Sequence, residues 1–93
     1  FLRHVAEMSP EVASARQAYG VALLTQHKYD DAKRELAAAA HLDPKNADAF
    51  ADLAYAELQL GLVLDARTHV DAALHLDPTH AFARQLQTAL ARQ

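Results

Sequence analysis

The sequence predicts an all-α fold of stacked helix–turn–helix units, and three observations carry that expectation. The stretch Ala38-Ala39-Ala40-His41-Leu42-Asp43-Pro44 returns further along as Ala72-Ala73-Leu74-His75-Leu76-Asp77-Pro78, with six of seven positions identical. Aligning residues 13–46 with 47–80 without a gap gives twelve identities. Self-similarity at such a period marks a repeat array, and this spacing matches the length of one helical hairpin. Composition is the third observation. There are 22 alanines against 2 glycines and 3 prolines, and Ala carries the lowest helical cost, Gly and Pro the highest.

The same composition excludes several classes. A chain of 93 residues is one small domain. A net charge of -3 with mixed signs leaves no basic stripe for a phosphate backbone, so nucleic acid is not an expected partner. Without cysteine there are no disulfides and no thiolate metal ligands. The longest apolar runs are far short of the ~20 residues that cross a bilayer, so no direct membrane insertion is expected.

Residues 1–9 align with the end of a unit: Leu2, Val5 and Met8 fall on Leu36, Ala39 and Leu42. They are expected to be the second helix of an earlier copy, so the chain reads as cut at this end. Ser9-Pro10-Glu11 starts the next helix, with Ser as cap, Pro in the first turn and an acid at the positive end. That helix is expected to reach about Gln26, with Val12, Ala15, Tyr19, Ala22 and Leu23 as its apolar stripe. Gly20 interrupts it at a cost of ~1 kcal/mol against Ala. Close approach of a second helix is the expected reason.

After a turn at His27-Lys28, a second helix over about 29–41 presents Tyr29, Ala32, Leu36 and Ala39. Asp30 can pair with Lys33 or Arg34 on its outer face. Asp43 precedes a proline, which pushes it out of helical conformation and ends the helix. The design repeats with helices over about 46–60 and 63–75, broken at Gly61 and closed by Pro78. A last helix over about 79–92 keeps Ala83, Leu86 and Leu90 on one face and Arg84, Gln87, Thr88 and Ala91 on another. Apolar inward and polar outward is what a terminal cap needs. The expected organisation is therefore 1–9, a truncated preceding repeat; 10–44 and 45–78, two units; and 79–93, a natural C-terminal cap.

These residues resemble the tetratricopeptide repeat family. The resemblance rests on small residues where helices cross, Gly20, Ala54, Ala32, Ala66, Ala39 and Ala73, and on Pro10, Pro44 and Pro78 at unit ends. It implies two antiparallel helices per unit, stacked as a right-handed α-solenoid. Four positions depart from the family pattern: Arg16 stands in a slot usually bulky and apolar, Glu57 in one usually aromatic, and Leu62 and Leu64 at turn positions usually polar.

The resemblance also implies a use: the first helices line a concave groove that holds a peptide from another protein. Carried over by position, the groove is Gln17, Val21 and Leu24, with Ser14 and Ala18; then Asp52, Tyr55, Leu58 and Gln59, with Asp48 and Ala51; then Phe82 and Leu86, with Gln85. One subclass grips terminal carboxylates with a cationic clamp. The matching positions here, Gln17, Val21, Asp52, Phe82 and Leu86, include no cation. The expected ligand is an apolar or amphipathic segment, with any cation meeting Asp52. Phe82 and Leu86 read equally well as packing between neighbouring first helices.

Six histidines suggest metal, but no pair has the i, i+4 spacing that places two ligands on one helical face, and no Cys assists. No metal or other cofactor is expected. Gly-rich phosphate loops, HExxH and G-x-S-x-G are absent, so no catalysis is expected. The alternative to a peptide-binding scaffold is self-assembly into a homo-oligomer. Leu62 and Leu64 stand at a turn, and fewer than three repeats are rarely stable alone.

Overall fold

The computed structural model describes residues 10–92, and all of its regular structure is helical. Helix α1 spans Pro10–Thr25, α2 Tyr29–Leu42, α3 Ala47–Gln59, α4 Val63–Leu76 and α5 Ala81–Ala91. The expectation for residues 1–9, and Ser9 as a cap, lie outside the described residues.

The helix ends follow from local chemistry. Asp43 and Asp77, each before a proline, leave the helix at φ -134° and -146°. Asn46 is not the first residue of α3 but its cap, its side chain accepting from Ala49 N–H. His80 caps α5 in the same way, accepting from Ala83 N–H, so α5 begins two residues later than expected. Positions 46 and 80 are repeat equivalents. In α2 the surface ion pair forms between Asp31 and Arg34 rather than from Asp30.

Each hairpin closes through small residues. Ala32, Ala39, Ala66 and Ala73 are fully buried, and Ala54 nearly so. Gly20 meets α2 most closely: a Cβ built there would stand 2.6 Å from Leu36 Cγ. That close approach is why the helix carries a glycine.

Packing then runs from neighbour to neighbour, α1 on α2, α2 on α3, α3 on α4 and α4 on α5. Leu23, Ala32 and Leu36 of the first hairpin join Leu53 and Ala56 of the next in one cluster. Ala51, Ala54, Ala66, Val70 and Ala73 join Ala83, Leu86 and Leu90 of α5 in another. Contacts of α1 with α3 and of α3 with α5 bring alternate helices side by side.

The expected stripe on α1 is corrected here. Ala13, Gly20 and Leu23 are its buried side, whereas Ala15 and Ala22 are exposed and Tyr19 is 57% exposed. The equivalents in α3, Ala49, Leu53 and Ala56, are buried because α2 packs on them. Among the described residues no helix precedes α1, so that face has no such neighbour there.

Candidate functional site

Helix α3 sets the geometry. At about 100° per residue, Asp48, Asp52, Tyr55 and Gln59 share one face, and Phe50, Leu53 and Glu57 share the opposite one. The first face continues onto the neighbours. Tyr55 meets Phe82 of α5 at a ring separation of 5.8 Å and Tyr29 of α2 edge-on at 6.3 Å. His27, in the α1–α2 turn, extends the row: its ring lies 5.8 Å from Tyr29, with Nδ1 2.8 Å from the Tyr29 hydroxyl.

A polar frame runs beside these rings. Asn46 Nδ2 donates to Gln17 Oε1 at 2.7 Å, and Asp52 accepts a hydrogen bond from Gln17. His80 Nδ1 accepts from Ala83 N–H, which leaves Nε2 to carry the proton that Asp48 Oδ1 accepts at 2.5 Å. Each cap residue therefore does two jobs, ending one orphan N–H and reaching back to the previous first helix. Partial burial pushes the Asp52 carboxyl above its ordinary value; the bond from Gln17 opposes the shift, Asp48 adds to it and His80 opposes it.

The residues carried over to the groove divide into three sets. Val21, Gln59, Ser14, Ala18, Asp48 and Gln85 are exposed, and Gln17, Leu24, Asp52, Tyr55, Leu58 and Phe82 are half-buried. Ala51 and Leu86 are core residues, with Leu86 only 5% exposed. Leu86 therefore packs α5 onto the second hairpin and presents no surface to a ligand. Gln17 is already occupied by Asn46 and Asp52, so it braces α1 against α3.

Sequence reasoning missed the pairing of Glu57 with His69. Glu57 is the buried charged side chain among the described residues, at 2% exposure, and its Oε1 lies 2.6 Å from His69 Nδ1. Phe50 stacks on the His69 ring at 6.0 Å. The hydrogen bond to Glu57 holds the His69 pKa above its ordinary value, against partial burial. In the first hairpin the positions equivalent to Phe50 and His69 are Arg16 and Glu35, which pair directly at 3.3 Å. The legible signal was a carboxylate out of place; its partner, on the following helix, was not. Among the described residues no three His, Asp or Glu side chains come together as a metal centre.

Two stacked hairpins and a fifth helix, with the first helices side by side, define a helical-repeat interaction scaffold. The tetratricopeptide repeat model matches residues 18–81, and the chain belongs to the tetratricopeptide repeat family. It is similar to the second TPR domain of the human RPAP3 protein, solved by NMR in complex with the HSP70 peptide SGPTIEEVD. The two share 25% identity and a TM-score of 0.83, over 87% of this chain and 68% of that one. No curated protein sequence matches the chain.

Proposed function

We propose that this chain is a non-catalytic protein-interaction module holding an apolar or amphipathic peptide segment along the face shared by α1, α3 and α5. The observation that carries this reading is the half-exposed ring pair Tyr55–Phe82, which spans two first helices with Tyr29 beside it. Aromatic rings with one face packed and one face open supply contact area at low entropic cost. Val21, Leu24 and Leu58 extend the apolar surface, and Asp52 and Gln59 offer acceptors that set a ligand's register.

A terminal-carboxylate clamp has no support. Gln17, Val21, Asp52, Phe82 and Leu86 hold no positive charge, and a carboxylate would meet Asp52. A partner segment that brings a cation to Asp52 fits better, because a partly desolvated carboxylate gains most from a new donor. In this reading residues 10–44 and 45–78 are the two units and residues 79–93 their cap. Support for the cap comes from Arg84, Gln87 and Thr88, exposed on the outer side of α5.

The test is calorimetric titration of the natural partner, once pull-down identifies it. Tyr55→Ala should weaken binding at least about tenfold, as anchor tyrosines do, with helical content unchanged. Asp52→Lys should weaken it further and slow association at low salt. Wild-type affinity in both variants would remove the groove from the reading.

Self-association is favoured by one specific observation: Leu64, in the first turn of α4, is 79% exposed. Light scattering across a dilution series decides it. A dimer that Leu64→Lys returns to monomer would establish that contact.

A further inference from the structure

Glu57 occupies a slot that the first hairpin fills with Leu23, which is 4% exposed. The fold therefore accommodates an ordinary apolar side chain at this position. A carboxylate there is costly unless hydrogen-bonded, and His69 meets only part of its capacity. Oε1 is taken by His69 Nδ1. Among the described residues no buried polar side-chain atom lacks a partner, so Oε2, which has no such bond, keeps a small accessible surface, and Glu57 lines a cleft.

That cleft measures about 360 Å³ and lies between α2 and α4 with α3 as its floor. Ala37, Ala40 and Leu53 form apolar walls, and the stacked Phe50 and His69 rings form one side. On α3 these residues point opposite to Asp52 and Tyr55, so this surface is separate from the groove and independent of the groove reading.

We propose that this cleft is a second docking site, which takes one hydrogen-bond-donating aromatic side chain, Tyr or Trp, from a partner protein. Three features select that occupant. The volume sits at the low end for ligand sites, with room for one anchor side chain. Apolar and aromatic walls suit a flat ring, and the open acceptor at the inner end suits a ring that carries O–H or N–H. Charge disfavours the obvious rival: the Glu57 carboxylate is already engaged by His69, and His41 at the rim adds no negative charge. A lysine head would be desolvated without a free counter-charge.

The experiment titrates the full chain with side-chain analogues and follows NMR shifts of Ala37, Ala40 and Leu53. p-Cresol and 3-methylindole carry the donor, toluene lacks it, and butylamine places a cation on an apolar stem. The two donors should give saturable shifts at these residues and bind about three- to tenfold tighter than toluene, the effect of one net hydrogen bond. Butylamine should leave them unmoved. Glu57→Leu should bring p-cresol down to the affinity of toluene, with an unchanged helical spectrum because Leu23 fills the equivalent slot. Ala37→Phe, filling the cleft from an exposed position, should abolish binding, and it decides the matter if Glu57→Leu does not fold. Equal binding of toluene and p-cresol, preference for butylamine, or shifts confined to Tyr55 and Val21 would each overturn the proposal, as would no shift at all.

Discussion

His27 and Gly61 hold equivalent places in the two hairpins and adopt the same left-handed backbone, at φ 62° and 81°. Each follows the first helix of its hairpin, and the next amide reaches back over the end, Lys28 N to Leu23 O at 2.9 Å and Leu62 N to Glu57 O at 2.8 Å. The turn demands a positive φ in both units, but a glycine meets the demand in only one.

Gly61→Ala should therefore destabilise the chain by about 1–2 kcal/mol through backbone strain alone, because nothing lies within 4 Å of the added Cβ. His27→Gly should stabilise it by up to about 1 kcal/mol, less what the exposed contact with Tyr29 contributes. Urea denaturation of the two variants measures both. A Gly61→Ala variant as stable as the parent would mean that the turn relaxes out of the left-handed region.

Gly20 is a different kind of glycine. Ala there gains about 1 kcal/mol of helix propensity but drives a methyl into Leu36 Cγ, an overpacking cost of about 1–3 kcal/mol. The expected result is net destabilisation of up to about 2 kcal/mol. Leu36→Ala, costing about 2–5 kcal/mol alone, should remove the clash, so a double-mutant cycle should show favourable coupling of about 1 kcal/mol or more. Simple additivity of the two changes would place the helix crossing elsewhere.

The Glu57–His69 pair makes stability depend on pH with a definite sign. Because the folded chain holds the His69 proton more tightly than the unfolded chain, the pair stabilises fully below about pH 6.5, the ordinary histidine value. That contribution is lost as pH rises through the higher folded pKa. Melting temperatures of the wild type and Glu57→Leu, measured from about pH 5.5 to 8.5 to bracket that value, should differ in slope, the wild type losing more on the alkaline side. Parallel curves would show that His69 titrates as it does unfolded.

Asp52 has the same sign for another reason. Its folded pKa is raised chiefly by burial, so ionisation opposes folding at neutral pH. Asp52→Asn should raise the melting temperature at about pH 7, an effect screened by water to less than about 1 kcal/mol, and the gain should vanish below about pH 4. It should also weaken any ligand whose cation meets Asp52. A variant less stable at neutral pH would mean that the bond from Gln17 outweighs burial.

How much was readable in advance follows from what repetition displays. Two copies of one packing arrangement appear in the sequence, so the hairpin register, the prolines that end units, and the buried alanines at 32, 39, 66 and 73 were legible without coordinates. Helical periodicity says which residues share a face. It does not say what stands opposite. Tyr19 belongs to the apolar stripe of α1 yet is exposed, because among the described residues no helix packs on that face as α2 packs on Leu53. Leu86 shares a sequence position with groove residues yet is buried, because α5 rolls it onto the second hairpin. Asn46 and His80 read as helical residues at the starts of α3 and α5; they are caps instead, and only the stacking of first helices brings them against Gln17 and Asp48. Glu57 was visible as a misplaced charge, but its partner stands on a different helix. Composition and period determined the scaffold; the pairings between helices, and with them both candidate surfaces, were decided by tertiary packing, since contact depends on the rotation of one helix against another.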